Sequence, residues 1–292
     1  MSAIVAVLGP GAVGGTLAVR LEQAGVDVIC VARPDTVERI RSEGLTLRHG
    51  RDASRGRPRV AEQLLEPVDL LLVTVKAPAL DAALGRISAL AVTVLPLMNG
   101  LEHVGTIRAR LGGHVVAGSI GRLEVYREGP TRIVQATAAP LVTVASADAG
   151  TDLLRQAGLE VRVGESERAV LWEKLARLAP LAAATAVTQR SLGELRDDLH
   201  WRAILEAAVA EACAVAAADG VALNPAAQWE ILDTMPASVT TSTARDAAAG
   251  RPTELDAIVG AVVRAAHRLG VPAPTLEQLS AEAEAVCRPP SR

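Results

Sequence analysis

The sequence predicts an α/β protein whose N-terminal half forms a doubly wound parallel sheet and whose C-terminal half is entirely helical. Apolar strand-like runs alternate with helical stretches as far as about residue 118, a pattern typical of parallel sheets. Short strand-like pieces follow, and from residue 166 onward the apolar spacing is helical almost throughout. A chain of 292 residues suits two domains. We therefore expect a sheet domain at residues 1–166 and a helical domain at residues 167–292.

The first strand, turn and helix form a dinucleotide-binding pattern. The apolar run Ile4–Leu8 has the length of a buried strand, and Gly9, Gly11 and Gly14 follow it in a G-x-G-x-x-G spacing. A helix runs on to Gly25, and a second strand comes next. A glycine-rich turn without a ligand is the alternative, but this context favours a Rossmann-type site. The cofactor-binding residues expected in the turn are Gly9, Pro10, Gly11, Ala12, Val13 and Gly14.

The end of the second strand indicates which nicotinamide cofactor is bound. A site for NAD usually carries Asp or Glu there, where it binds the ribose 2′-hydroxyl. This chain ends the strand Val26–Ala32 with Arg33 instead, and Asp27 comes too early. An arginine can hold a 2′-phosphate with two hydrogen bonds. We therefore predict NADPH rather than NADH, the alternative being an ordinary solvated arginine.

The sheet pattern continues with further strands and helices, and two polar residues follow strand ends. Lys76 comes after the strand Val68–Val75, and Asn99 comes after Val92–Leu97. Ligands of such sheets bind beyond the carboxyl ends of the strands, so both side chains are expected at the cofactor crevice. The segments between are read as a helix at Asp35–Glu43, a loop or hairpin at His49–Pro58, and helices at Ala79–Leu90 and Glu102–Leu111.

The middle of the chain departs from the alternating pattern. The pieces Arg122–Arg127, Arg132–Thr137 and Pro140–Ala145 are joined by small and turn-forming residues, which predicts an antiparallel meander that closes the sheet. A last short strand is expected at Leu159–Val163. Helices are predicted at Asp152–Ala157, Glu167–Val187, Trp201–Ala218, Ala226–Met235, Thr253–Leu269 and Leu276–Glu284.

Composition narrows the functional classes. The net charge is −3 and there is no basic stripe, so we expect no nucleic-acid partner. We also expect no signal peptide, membrane span, disulfide framework or metal site, and hence a cytoplasmic protein. Thirty residues are basic, yet only Lys76 and Lys174 are lysines. Where arginine would serve the chain uses arginine, so a lysine indicates a need for a compact, titratable ammonium.

The chain resembles the ketopantoate reductase (2-dehydropantoate 2-reductase) family over essentially its whole length. The resemblance rests on five segments in the right order and spacing, and both lysines fall within them. The segments are Gly9–Gly14 with Arg33, Val75–Ala77, Met98–Leu101, Trp172–Leu175 with Gly193–Leu195, and Ser242 and Asp246 with Arg251–Asp256.

The resemblance implies an NADPH-dependent reduction of ketopantoate to pantoate, a reaction of pantothenate biosynthesis. It implies that Lys174 is the general acid, with Glu254 beside it to keep it charged and oriented. The alternatives are a solvated helix lysine and an acid favoured by a helix dipole. The family pattern further assigns Asn99 and Lys76 to the nicotinamide end and the substrate, Ser242 to the substrate carboxylate unless it is a helix cap, and Glu211 to a further acidic position.

One departure from the family bears on the substrate. The family carries asparagines one and two turns after the lysine, where this chain has Leu178 and Ala182. Polar groups that bind substrate hydroxyls discriminate strongly between substrates, and that selectivity is lost when apolar groups replace them. The alternative that the protein is a reductase of the same family acting on a less hydroxylated carbonyl substrate therefore stays open. A non-catalytic NADPH-binding sensor is a further alternative, and we expect a homodimer formed through the helical domain.

Overall fold

The computed structural model describes residues 3–137, 140–148 and 150–287. The strands are β1 Ile4–Leu8, β2 Asp27–Val31, β3 Leu45–His49, β4 Asp52–Gly56, β5 Arg59–Ala61, β6 Val68–Val73, β7 Ala91–Pro96, β8 His114–Val115, β9 Gly118–Arg122, β10 Val125–Arg127, β11 Arg132–Gln135, β12 Leu141–Val144 and β13 Glu160–Val163. The helices are α1 Ala12–Gln23, α2 Pro34–Glu43, α3 Leu80–Leu84, α4 His103–Leu111, α5 Thr151–Gln156, α6 Glu167–Thr188, α7 Leu192–Asp197, α8 Leu199–Ala218, α9 Pro225–Thr234, α10 Ser242–Ala248, α11 Ala261–Leu269 and α12 Pro274–Cys287. A 3₁₀ turn covers Ala77–Ala79, and a π-helical turn covers Asp256–Gly260.

The chain divides into two compact units. One contains the residues up to Met98 together with His103–Val170. The other contains the residues from Leu171 onward and, from the first half of the chain, the short segment Asn99–Glu102. The predicted boundary at residue 166 lies one turn of helix before the start of the second unit, and no feature of the sequence indicated that residues 99–102 belong to that unit.

The first unit is built on a six-stranded parallel sheet, as predicted. Its strand order is β5-β2-β1-β6-β7-β8, and every neighbouring pair is parallel. Strands β1 and β6 are apolar runs buried on both faces, as expected for the centre of a parallel sheet. The chain turns from one side of β1 to the other between β5 and β6. The carboxyl ends of β1 and β6 therefore form a topological switch point, where open α/β sheets bind ligands.

The fold class is confirmed, but the predicted meander is only partly correct: β10 and β11 form an antiparallel pair, while the third piece joins a different sheet. Strand β11 pairs in parallel with β3, and β3 forms an antiparallel hairpin with β4 that includes part of the polar segment read as a loop or hairpin. These strands and β10 make a separate four-stranded sheet. Strand β12 pairs with β9 and β13 in a three-stranded sheet. Strand β11 also pairs with the distant β3, because chain proximity alone does not decide the pairing of short strands.

The second unit is all helical in its described residues. Its longest helix, α6, carries Trp172, which is completely buried and donates from Nε1 to the Asp219 carboxylate at 2.9 Å. Several alanines of α6 and α8 have no exposed surface and form part of the core of this unit. Helices α7 and α10 were not predicted, because six or seven residues are too few to show a helical period. Within the described residues, no helix has the length and apolar character needed to cross a membrane.

Candidate active site

The glycine turn after β1 has the shape of a phosphate cradle. Gly9 has a φ of +88°, its N–H donates to the Val31 carbonyl, and its own carbonyl accepts from the Thr74 hydroxyl at 2.9 Å. A Cβ on Gly14 would overlap the Gly9 carbonyl and the Thr74 hydroxyl. At Gly11, by contrast, an added Cβ would meet nothing nearer than 3.9 Å. The turn is thus packed where its backbone must close and open where a pyrophosphate would approach.

The start of α1 supplies the donors for this cradle. Gly11 is the N-cap residue and has no side chain to accept the first amide hydrogens. The first N–H groups of a helix have no acceptor within the helix, and the dipole there favours negative charge. The open Gly11 and the start of α1 therefore fit the diphosphate of a dinucleotide. Thr74 follows β6 and holds the turn through its hydroxyl, but it was not among the site residues predicted from the sequence. Its place on the strand next to β1 was the available signal.

Two predicted cationic residues also follow strands of the parallel sheet. Arg33 comes two residues after β2 and precedes α2; its side chain is 75 % exposed, with Nε 3.8 Å from the Asp35 carboxylate. The guanidinium is therefore accessible to a solvent-borne phosphate. Lys76 caps the 3₁₀ turn after β6 and is exposed. Both residues belong to the first unit, as does the glycine turn.

The second unit brings three predicted site residues together. Lys174 on α6 donates from Nζ to the Asn99 side-chain carbonyl at 2.8 Å. The Asn99 amide donates in turn to Oε2 of Glu254 at 3.4 Å. Glu254 is buried and lies just before the π-helical turn. We call this hydrogen-bonded set of Lys174, Asn99 and Glu254 the lysine cluster.

Burial makes the Lys174 ammonium a better acid than an ordinary lysine. The pKa of Lys174 is lowered to about 8, chiefly by loss of solvation; the negative charge of Glu254 opposes this shift and the positive charge of Arg177 contributes to it. The group is then mostly protonated at neutral pH yet gives up its proton readily. Arg177, whose side chain donates to Gln228, was not among the site residues predicted from the sequence. Its position one helical turn after Lys174 was the signal that could have revealed it.

Glycine allows the backbone to approach closely beside the lysine cluster. Gly100 has a φ of +100°, and a Cβ there would overlap the carbonyl of Ala257 in the π-helical turn. Such turns are frequent at functional sites. The glycine lets the backbone after Asn99 lie directly against the helix that follows Glu254. The side-chain amide of Asn99 thereby reaches both charged groups.

The two remaining predicted residues lie outside these hydrogen bonds. Ser242 is the exposed first residue of α10, and the N-cap is its neighbour Thr241, whose hydroxyl accepts from Ala244. The carboxylate of Glu211 accepts from the N–H groups of Thr275 and Leu276 at 3.0 and 2.9 Å, in the first turn of α12. With both oxygens bound to a helix start, Glu211 has a structural role in the helical unit.

The apolar departure from the family pattern lies on the lysine helix. Leu178 is half-buried and Ala182 is fully buried, four and eight residues after Lys174. Leu178 therefore leaves apolar surface exposed one helical turn after Lys174, whereas Ala182 leaves none. Among the described residues, no group of three or more histidine, cysteine, aspartate or glutamate side chains could hold a metal ion.

Comparison with protein families places these features in a known context. Residues 5–148 match the family model "Ketopantoate reductase PanE/ApbA", and residues 167–286 match the model of its C-terminal domain. A 2-dehydropantoate 2-reductase of Caulobacter vibrioides is 33 % identical over 284 residues, covering 92 % of this chain and 94 % of the relative. The two matched regions together take in the glycine turn, Lys174 and Glu254.

Solved structures show the same architecture. A PanE/ApbA family ketopantoate reductase from Ralstonia eutropha JMP134 superposes with a TM-score of 0.86 at 29 % identity, covering 97 % of this chain and 98 % of that one. D-mandelate dehydrogenase, in a ternary structure with NADH and anilino(oxo)acetate, superposes with a TM-score of 0.88 at 20 % identity, covering 97 % and 98 %. The second likeness is one of fold, and this fold therefore accommodates more than one reductase.

Proposed function

The chain belongs to the ketopantoate reductase family, and we propose that it uses NADPH to reduce the C2 carbonyl of a 2-oxo acid to a hydroxyl group. The leading substrate is 2-dehydropantoate (ketopantoate), with pantoate as the product. The observation that carries the proposal is the lysine cluster, in which a half-buried ammonium of lowered pKa donates to the Asn99 amide, which in turn donates to the buried Glu254 carboxylate. Homodimer formation, a cytoplasmic location and a place in pantothenate biosynthesis stay predictions.

The residues of the first unit would hold the cofactor. The diphosphate would bind at Gly11 and the first turn of α1, and Arg33 would bind the 2′-phosphate of the adenosine ribose. Lys76 would contact the nicotinamide end. When bound, NADPH supplies the hydride. The preference for NADPH rests on the exposed Arg33 guanidinium at a position where NAD-binding sites carry an acid.

The residues of the lysine cluster would carry the proton chemistry. As C2 accepts a hydride, negative charge develops on the carbonyl oxygen. The Lys174 ammonium stabilises that charge and then gives the oxygen a proton. Glu254 favours the charged form of Lys174, and the side-chain carbonyl of Asn99 fixes the direction of one ammonium hydrogen. The hydroxyl of Ser242 would donate to the substrate carboxylate.

A related reaction on a different carbonyl is the second candidate. Leu178 and Ala182 offer no hydrogen bonds from their side chains, although the family carries asparagines there. A 2-oxo acid with an apolar side chain would lose little at these positions, whereas a hydroxylated substrate would lose polar partners. The reaction type is the same for both candidates. The two substrates differ only in whether they lose hydrogen-bond partners at Leu178 and Ala182.

A panel of 2-oxo acids tests both candidates. Purified protein is mixed with NADPH and one carbonyl at a time, and loss of NADPH absorbance is followed. We expect ketopantoate to give the highest kcat/KM, and an apolar 2-oxo acid to give the highest value if the second candidate holds. NADH is run in parallel, and equal rates with both coenzymes would contradict the role of Arg33. NADPH binding with no turnover of any carbonyl would leave the sensor alternative standing.

The acidity of Lys174 predicts a pH dependence. The proton donor must be protonated in the free enzyme, so kcat/KM for carbonyl reduction should fall as the pH rises through about 8. Glu254 raises the pKa of Lys174, so in Glu254→Gln the pKa is lower and the fall should begin about one pH unit earlier. Full pH profiles of both proteins measure this.

The control for this prediction is Glu230→Gln, which neutralises an exposed acid on α9 of the same unit. Its pH profile should match that of the unmodified protein. A Glu254→Gln profile that keeps the original midpoint, or moves to higher pH, would contradict the pairing of these two residues.

A further inference from the structure

The segment Asn99–Glu102, which we call the strap, is held to the helical unit at both ends. At its first residue, Asn99 bonds to Lys174 and Glu254. At its last residue, the two carboxylate oxygens of Glu102 accept from Nε and Nη2 of Arg264 at 2.9 and 2.8 Å. This two-bond arrangement fixes the relative orientation of both groups, unlike a single contact.

Arg264 also binds the helix that follows Glu254. Its Nη1 donates to the Asp256 carboxylate at 2.6 Å and its Nη2 donates to the Asp256 carbonyl at 3.1 Å. One guanidinium therefore connects the strap to the first residue of the π-helical turn. Isolated surface ion pairs contribute little to stability, but a two-bond pair within a network has a defined geometry.

Glycine at two positions prevents steric overlap where the strap and Arg264 contact this helix. Gly100 has no Cβ to overlap the carbonyl of Ala257. A Cβ on Gly260 would lie 3.0 Å from Oδ1 of Asp256 and 3.2 Å from Nη1 of Arg264, where the ion pair now sits. The close backbone approach and the ion pair thus both involve the π-helical turn. Together they fix the position of Asn99 relative to Lys174 and Glu254.

We propose that Arg264 is a positioning residue that, through Glu102, fixes Asn99 between Lys174 and Glu254. The proposal rests on the proposed function, since it concerns the geometry of the proton donor. Arg264 bonds to none of the three cluster residues in the described hydrogen bonds, so its influence passes through the strap. When Arg264 is removed, the strap keeps its backbone contact but loses the orientation at Glu102, and Asn99 spends less time bonded to Lys174.

The two lysines of this chain give a direct readout of that loss. Protein labelled with ¹³C at the lysine ε carbons should give two side-chain NMR signals, which Lys174→Ala assigns. In Arg264→Met we expect the pKa of Lys174 to fall below its value in the unmodified protein, because the hydrogen bond from the ammonium to Asn99 stabilises the charged form. The signal of Lys76 should titrate unchanged, and Asn99→Ala should lower the pKa of Lys174 in the same way.

Kinetics supply the second readout. We expect Arg264→Met to lower kcat by about ten- to a hundredfold, with the KM for NADPH unchanged, because displacement of a positioning group slows the chemical step. Adding Arg264→Met to Asn99→Ala should change kcat no further. Arg264→Lys, which keeps the charge but not the two-bond geometry, should recover only part of the rate. Glu102→Gln is the second variant, should Arg264→Met not fold.

Arg202→Met is the matched control. Arg202 lies on α8 of the same unit and likewise bridges two carboxylates, those of Glu206 and Asp233, at 3.1 Å each. Both lysines and kcat should behave as in the unmodified protein. The proposal is overturned if Arg264→Met leaves the titration of Lys174 unchanged, or if Arg202→Met produces the same change. Should no carbonyl be reduced, the proposed function fails, and the lysine titration still decides the positioning role.

Discussion

Replacing Lys174 by alanine is expected to lower kcat for carbonyl reduction by roughly 10²- to 10⁴-fold, the range for loss of a general acid. The variant loses both the positive charge beside the developing alkoxide and the proton that the alkoxide needs. Binding of NADPH should be little affected, because the glycine turn, Arg33 and Lys76 belong to the other unit and Asn99 is retained. Single-turnover kinetics and coenzyme fluorescence titration measure the two effects separately.

Lys174→Arg separates the two contributions of the ammonium. A guanidinium keeps the positive charge, but its pKa is far higher than that of an ammonium, which makes it a poor proton donor near neutral pH. We expect it to recover only a small part of the lost rate. Melting temperatures of both variants control for misfolding. A carbonyl-dependent rate in Lys174→Ala equal to that of the unmodified protein would refute the mechanism.

Gly14→Ala should weaken coenzyme binding. The added Cβ would overlap the carbonyl of Gly9 and the hydroxyl of Thr74, and the carbonyl belongs to the turn itself. Overpacking of this kind costs about 1–3 kcal/mol, and here relief requires that the turn open. We expect the Kd for NADPH to rise at least about tenfold, which corresponds to about 1.4 kcal/mol. Isothermal titration calorimetry with NADPH provides the measurement.

Gly105→Ala is the control for that experiment. Gly105 lies in α4 of the same unit, and a Cβ there would meet no atom within 4 Å. Alanine in a helix interior is favoured over glycine by up to about 1 kcal/mol, so the variant should be at least as stable as the unmodified protein. It should bind NADPH normally. If Gly14→Ala also binds normally, the turn is not the diphosphate site.

The parallel sheet could be predicted because its strands are continuous apolar runs. Strand β1 occupies Ile4–Leu8, as expected from the run of β-branched and apolar residues. Helix α3 shows the limit of such patterns. A helix was expected at Ala79–Leu90, but the α-helix covers only Leu80–Leu84. In the middle region, β10 and β11 pair with each other as expected, but β11 also pairs with β3, which lies far away in the chain, and local patterns do not encode such a partner.

The candidate site was predictable to the extent that rare residues marked it. Lys174 stood out because lysine is scarce here, and the resemblance to the family supplied its partner Glu254. Arg264 and Glu102 did not stand out, since this chain uses arginine for nearly all its basic residues and the pair is separated by 162 positions. Glu211 shows the opposite limit, because an acidic residue in the sequence looks the same whether it binds a ligand or caps a helix.

The strap makes the helical unit discontinuous along the chain. Residues 171–287 alone lack Asn99 and therefore cannot complete the lysine cluster. A chimera that takes its C-terminal half from another member of the family would join a foreign lysine helix to this chain's own asparagine. The two halves of such enzymes are thus not freely exchangeable modules. Any recombination that keeps the proton donor in place must carry residues 99–102 along with the helices.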